Sequence, residues 1–150
     1  MGDIKMIDIS EKEPTERYAR AEGKIYVSEE VFDRIVNNNI EKGDVLTSAK
    51  IAGIMAGKST FQLIPLCHPI ELTKIDIEII PLREEGALKV IVDAKTLGRT
   101  GVEMEALTAV AVSLLTIYDF CKMYDPNMII SDIKLLAKSG GKSGEWKRKT

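Results

Sequence analysis

Leu72-Thr73-Lys74-Ile75-Asp76-Ile77-Glu78-Ile79-Ile80-Pro81-Leu82-Arg83-Glu84-Glu85-Gly86-Ala87-Leu88-Lys89-Val90-Ile91-Val92-Asp93-Ala94 is the stretch from which the fold is read. Leu72, Ile75, Ile77 and Ile79 alternate with Thr73, Lys74, Asp76 and Glu78, the pattern of a strand with one buried face. Arg83–Gly86 supplies a turn and Leu88–Ala94 a returning strand, so the stretch predicts an antiparallel hairpin.

Working outward, Thr100-Gly101-Val102-Glu103 opens a helix that runs to about Cys121. Its middle, Ala106 to Ile117, has only Thr108, Ser113 and Thr116 as polar residues, and a helix apolar nearly all round is expected to be buried. Thr100 and Glu103 stand at capping-box spacing. After a turn at Asp125-Pro126-Asn127, Met128–Ile130 and Ile133–Leu136 form a last strand. On the other side, a strand is expected near Arg17–Val27. A short helix follows from Ser28, with Val31, Ile35 and Val36 as its apolar side, and Asn37-Asn38-Asn39 ends it. Asp44 caps a second helix reaching about Lys58, with Val45, Leu46, Ala49, Ile51, Ala52, Ile54 and Met55 as a broad apolar face. Strand, helices, hairpin, helix and strand in that order give an α+β, ferredoxin-like split βαβ plan: an antiparallel sheet with helices packed on one face.

The 150 residues are expected to form one domain, with residues 1–15 as an extended N-terminal arm and 138–150 as a basic Gly/Ser/Lys tail. Apolar residues make up 45% and charged residues 29%, which excludes a disordered chain. No charge-free run of about 18 apolar residues occurs, so no membrane span is expected. The net charge of −2 hides an asymmetry: residues 138–150 hold five basic residues and one acid, leaving the rest acidic. A basic excess confined to a Gly-rich tail suits a small anion better than nucleic acid, so no nucleic-acid partner is expected. Two Cys outside any CxxC pair and a single His call for no disulfide framework and no resident metal or cofactor. Met1–Asp8 mixes charges unlike a signal peptide, and a cytoplasmic location is expected.

Several segments could carry chemistry. Ala52-Gly53-Ile54-Met55-Ala56-Gly57-Lys58-Ser59 loosely fits a phosphate loop, but it closes a helical pattern where a phosphate loop opens one. Its small residues read better as a close helix contact, with Lys58 left to face an anion. Lys138-Ser139-Gly140-Gly141-Lys142-Ser143-Gly144 is either a flexible anion cradle or a solvated tail. His68 and Cys67 sit in a loop clamped by Pro65 and Pro69. Asp119 and Lys122 share a helix face at i,i+3. That is an ordinary surface pair, or, if partly desolvated, a proton-transfer pair. Glu105 lies 14 residues before Asp119, about 40° away in azimuth but about 21 Å along the axis. One small substrate cannot touch both on one helix, whereas an antiparallel copy across a two-fold axis brings them together. A shared site in a homo-oligomer is the expectation.

These segments together resemble the cyclic pyranopterin monophosphate synthase family of molybdenum cofactor biosynthesis. The resemblance runs from Ile7-Asp8-Ile9-Ser10 to Gly140-Gly141-Lys142-Ser143-Gly144 and is densest in five strings. These are Lys42-Gly43-Asp44-Val45, Ile51-Ala52-Gly53-Ile54, Leu63-Ile64-Pro65-Leu66-Cys67-His68-Pro69, Thr100–Thr108, and Leu115-Thr116-Ile117-Tyr118-Asp119 with Cys121-Lys122. The resemblance implies a lyase that converts 3′,8-cyclo-7,8-dihydroguanosine 5′-triphosphate to cyclic pyranopterin monophosphate and pyrophosphate. It implies Asp119, Lys122 and Lys42 as catalytic residues. It also implies Leu66, Cys67, His68, Met104, Glu105, Arg17, Lys58 and Lys138 as substrate-binding, and a hexamer built as a trimer of dimers. Gly57, Arg99 and Phe120 depart from the family's commoner Ala, Lys and Met. The alternatives are a non-catalytic nucleotide- or pterin-binding regulatory module, which would leave Asp119 and Lys122 as a surface pair, and a P-loop nucleotidase using Lys58.

Overall fold

The computed structural model describes residues 2–149; Met1 of the N-terminal arm and Thr150 of the basic segment lie outside the described residues. Strand β1 (Thr15–Tyr26) is followed by helices α1 (Glu29–Val36), α2 (Val45–Lys58) and the single-turn α3 (Thr60–Leu63). The hairpin is β2 (Leu72–Leu82) and β3 (Ala87–Gly98), joined by a 3₁₀ turn at Arg83–Glu85. Helix α4 (Glu103–Cys121), β4 (Ile129–Ser139) and a two-residue β5 (Trp146–Lys147) complete the chain. The sheet runs β2-β3-β1-β4-β5, and every neighbouring pair is antiparallel. The α+β sheet-and-helix plan read from the hairpin is the fold observed.

Which side chains are small decides how close the layers come. On β1, Arg17, Ala19, Ala21 and Ile25 are buried together with Gly23, and the intervening residues are partly exposed. At Gly23 a methyl group would lie 2.8 Å from both Leu114 Cδ1 and Val110 Cγ1, so α4 rests directly on the strand. Helices α2 and α4 meet through a second stripe of small residues. A side chain at Gly53 would collide with Ser113 Oγ and Ile77 Cδ1, and one at Gly57 would lie 2.8 Å from Ile75 Cδ1. Ser113 Oγ donates to Ala49 O at 3.0 Å, tying the helices where they touch.

That stripe corrects the apolar face expected on α2. Ala49, Gly53, Ala56 and Gly57 face inward with Val45, while Ile51 and Met55 point outward. The segment Ala52–Ser59 is thus a helix end packed on its neighbour, not the helix start that a phosphate loop needs. In α1 the buried residues are Val31, Phe32 and Ile35, and Val36 is exposed. Helix α4 is also only half buried: Met104 and Leu115 are exposed along its outer side. It is long and apolar enough to cross a bilayer, yet its inner side is packed into the core. The capping box is absent. Val102 occupies the N-cap position without a side-chain bond, and Glu103 turns to Lys138 instead.

The two termini differ from a simple arm and tail. Residues 2–14 have no helix or strand, but Arg99 Nε donates to Lys12 O at 3.1 Å and ties them down. The basic segment begins inside the sheet, since Lys138 and Ser139 end β4 and Trp146 and Lys147 pair with Lys138 and Ala137.

Candidate functional site

Helix α4 presents site residues at both of its ends, and the sequence puts them there through different neighbours. At the C-terminal end, Asp119 and Lys122 form the expected i,i+3 pair at 3.0 Å. Lys42 joins them from the segment between α1 and α2. Its Nζ donates to Asp119 Oδ2 at 2.9 Å and to the Asp119 carbonyl at 3.3 Å, and lies 5.9 Å from the centre of the Phe120 ring. One carboxylate therefore sits between two ammonium groups, and Lys42 followed by Lys122 holds the Asp119 carboxyl below its ordinary range. The desolvation expected for this pair is absent within one chain, because all three side chains remain substantially exposed.

At the other end, Glu105 is 2% exposed. Cys67 Sγ donates to its Oε2 at 3.8 Å, and Oε1 has no hydrogen-bond partner among the described residues. Burial pushes the Glu105 carboxyl upward, with the neighbouring Glu103 adding to the shift. Burial also raises the Cys67 thiol, and Glu105 raises it further. A cleft of about 350 Å³ opens beside this pair, lined by Leu66, Cys67, His68, Thr100, Glu103 and Met104, with Lys12 at its margin.

A smaller cleft of about 190 Å³ adjoins that end, and Arg17, Lys138, Lys12 and Thr100 line it with Gly140. Arg17 is 8% exposed despite its charge. Its Nε donates to Gly98 O at 3.1 Å, and Gly140 and Gly141 cover it. Both glycines have positive φ, +105° and +74°, and a side chain on either would strike Arg17 or the Glu16 carbonyl. Lys138 Nζ lies 3.7 Å from Glu103 Oε2. Three cations, a Gly-rich turn and the start of α4 make a setting suited to an anion.

The structure thus brings Leu66, Cys67, His68, Met104, Glu105, Arg17 and Lys138 to one end of α4 and Lys42, Asp119 and Lys122 to the other. Lys58 joins neither group. It is exposed at the end of α2 and forms no ion pair among the described residues. Sequence reasoning missed Glu103 as a partner of Lys138, and it missed Lys12 and Thr100 as cleft residues. Glu103 and Lys138 stand 35 positions apart, which left no local pattern to read. Among the described residues no three or more His, Cys, Asp or Glu side chains converge as a metal site.

A family model described as the MoaC family matches residues 6–141. Over 145 residues the chain is 50% identical to a cyclic pyranopterin monophosphate synthase of Desulforapulum autotrophicum, covering 97% of this chain and 89% of that protein. It is 52% identical over 151 residues to the protein of that name from Geobacillus thermodenitrificans, covering 99% and 93%. A Helicobacter pylori protein of the same name is 51% identical over 145 residues, covering 97% and 92%.

Proposed function

The chain belongs to the MoaC family, and on that premise we propose that it is a cyclic pyranopterin monophosphate synthase of molybdenum cofactor biosynthesis. Its substrate is a nucleotide-derived triphosphate, 3′,8-cyclo-7,8-dihydroguanosine 5′-triphosphate, and its products are cyclic pyranopterin monophosphate and pyrophosphate. The reaction opens and rearranges the purine-derived ring by proton transfers. An oxygen of the same molecule then attacks the α-phosphorus, and pyrophosphate leaves.

The observation that carries this reading is the division of labour along α4. The acid–base cluster of Lys42, Asp119 and Lys122 suits the ring chemistry, with Lys122 moving the proton and Asp119 fixing its position. The cleft lined by Leu66, Cys67, His68 and Met104, with Glu105 buried against Cys67, takes the base, and Arg17 and Lys138 take the phosphates. Lys58 is assigned to the phosphates as an exposed cation that reaches them only when a second subunit approaches.

The two ends lie about 21 Å apart along the axis at 14 residues of 1.5 Å rise, too far for one small ligand. An antiparallel partner sets the Asp119 end of one subunit beside the Glu105 end of the other. The exposed Met104 and Leu115 on α4 and Ile51 and Met55 on α2 are the apolar surface such a partner would cover. The assembly is a hexamer built from such dimers, in the cytoplasm.

The test is mass spectrometry after incubation with the cyclic dihydroguanosine triphosphate. Stoichiometric cyclic pyranopterin monophosphate and pyrophosphate are expected. Substrate bound but recovered intact would overturn the enzyme in favour of a non-catalytic binding module.

A further inference from the structure

Lys42 reaches Asp119 from across 77 positions of sequence, on a flexible side chain carried by a segment without regular structure. A lysine has four side-chain torsions and loses much rotamer freedom when its ammonium is held in one place. Something must fix the backbone from which it starts. Ile40, 7% exposed, anchors the segment in the core. The next residue is held by Tyr124: the Glu41 N–H donates to the Tyr124 hydroxyl at 2.8 Å. Tyr124 belongs to the turn that ends α4, where its N–H donates to Cys121 O at 2.9 Å. Adjacent residues of the segment, Glu41 and Lys42, thus bind Tyr124 and Asp119 of one helix end.

Arg34 completes the arrangement from the α1 side. Its guanidinium stacks 4.1 Å from the centre of the Tyr124 ring, and its Nη1 donates to Asn39 O at 3.3 Å. Glu30, one turn earlier, accepts from Arg34 Nε at 3.1 Å and orients the guanidinium. Asn39, Glu41 and Lys42 are therefore each tied by a different side chain, and the three ties converge on the end of α4.

We propose that Tyr124, held by Arg34, is a positioning residue that seats the Lys42 ammonium on Asp119. The proposal rests on the reading of Lys42, Asp119 and Lys122 as the proton-transfer cluster, and it adds a residue that touches neither substrate nor reacting atoms. Its chemistry is a hydroxyl that accepts one backbone hydrogen bond and a ring that gives the guanidinium a face to stack on.

The test is Tyr124→Phe, which keeps the ring and deletes the hydroxyl. Two readings are taken on the full chain: kcat and KM with the cyclic triphosphate, and acetylation of individual lysines by an N-hydroxysuccinimide ester, followed by mass spectrometry. Lys42 acetylation should rise about fivefold relative to Lys74 on β2, the worth of one neutral hydrogen bond. In parallel kcat should fall about fivefold, with KM within twofold and the melting temperature nearly unchanged. Unchanged Lys42 acetylation overturns the clasp, and raised acetylation with unchanged kcat overturns its part in catalysis. Raised acetylation in the variant, together with no turnover by the unaltered protein, upholds the clasp and overturns the synthase reading.

Discussion

The two ends of α4 each hold one carboxyl group in opposite circumstances. Asp119 is half-exposed and paired with two ammonium groups, and those partners hold it ionised. Glu105 is buried with one thiol donor and an oxygen without a partner among the described residues, and burial favours its neutral form. The two side chains are chemically alike and stand on the same helix. Their surroundings push them in opposite directions: two cations favour the charged form of Asp119 and burial favours the neutral form of Glu105. The two ends do not meet within one chain, so the proposed shared site would join them only across a subunit boundary.

The largest effect is expected at the exposed end. Lys122→Arg preserves the positive charge opposite Asp119 but removes a group able to give up its proton. Turnover should fall by about 10²-fold or more while substrate affinity changes little. Near-normal turnover, with fold and assembly intact, would show that Lys122 supplies charge alone and would remove proton transfer from that end.

The next test joins the two ends. Glu105→Ala and Asp119→Ala should each be inactive. Subunits of the two variants, mixed after dissociation, should recover about a quarter of the unaltered activity, because half of randomly formed dimers are mixed and each keeps one intact site. No recovery from a verified mixed dimer, or full activity in isolated monomers, would place both ends in service of separate sites.

These two ends were not equally legible in the sequence. The hairpin alternation, the Asp44 cap and the i,i+3 spacing of Asp119 and Lys122 are local, and local patterns survive into the fold. Lys42 meeting Asp119 is a long-range contact, visible beforehand only through the family resemblance. Tyr124 gave no signal at all, since its hydroxyl bonds a backbone amide 83 positions away. The outward turn of Ile51 and Met55 was misread because the small residues, not the large apolar ones, decide which side of α2 can approach α4. The capping box failed for a tertiary reason: Lys138 offers Glu103 a cationic partner.

Stability against pH should separate the ends by sign. Glu105 has its folded value raised above the ordinary 4.5, so its contribution is complete below that pH and is lost as pH rises through the raised value. Each pH unit of separation is worth about 1.4 kcal/mol. Asp119 has its folded value lowered below 3.8, so its contribution is present above that pH and is lost as pH falls through the lowered value. Chemical denaturation at a series of pH values should show Glu105→Gln removing part of the alkaline-side decline and Asp119→Asn removing part of the acid-side decline. A Glu105→Gln protein whose decline matches the unaltered one would mean that folding does not raise the Glu105 carboxyl.

The smallest effect probes the same question through a neighbour. Cys67 is partly exposed and donates to Glu105, whereas Cys121 is buried, with its thiol pushed up to about 11 by burial, and should stay silent. Thiolate is the form that alkylates, so the rate at Cys67 reports the charge beside it. An ionised Glu105 would repel the thiolate, and replacing it with Gln would then speed alkylation about tenfold for each unit of thiol shift it had caused. Burial raises the Cys67 thiol, and Glu105 raises it further through its charge and its hydrogen bond. Glu105→Gln should therefore speed the iodoacetamide reaction at Cys67 at neutral pH, read by mass spectrometry of the modified peptide. An unchanged rate would mean that Glu105 is neutral beside the thiol, and the two carboxyl groups of α4 would then differ in proton state as well as in exposure.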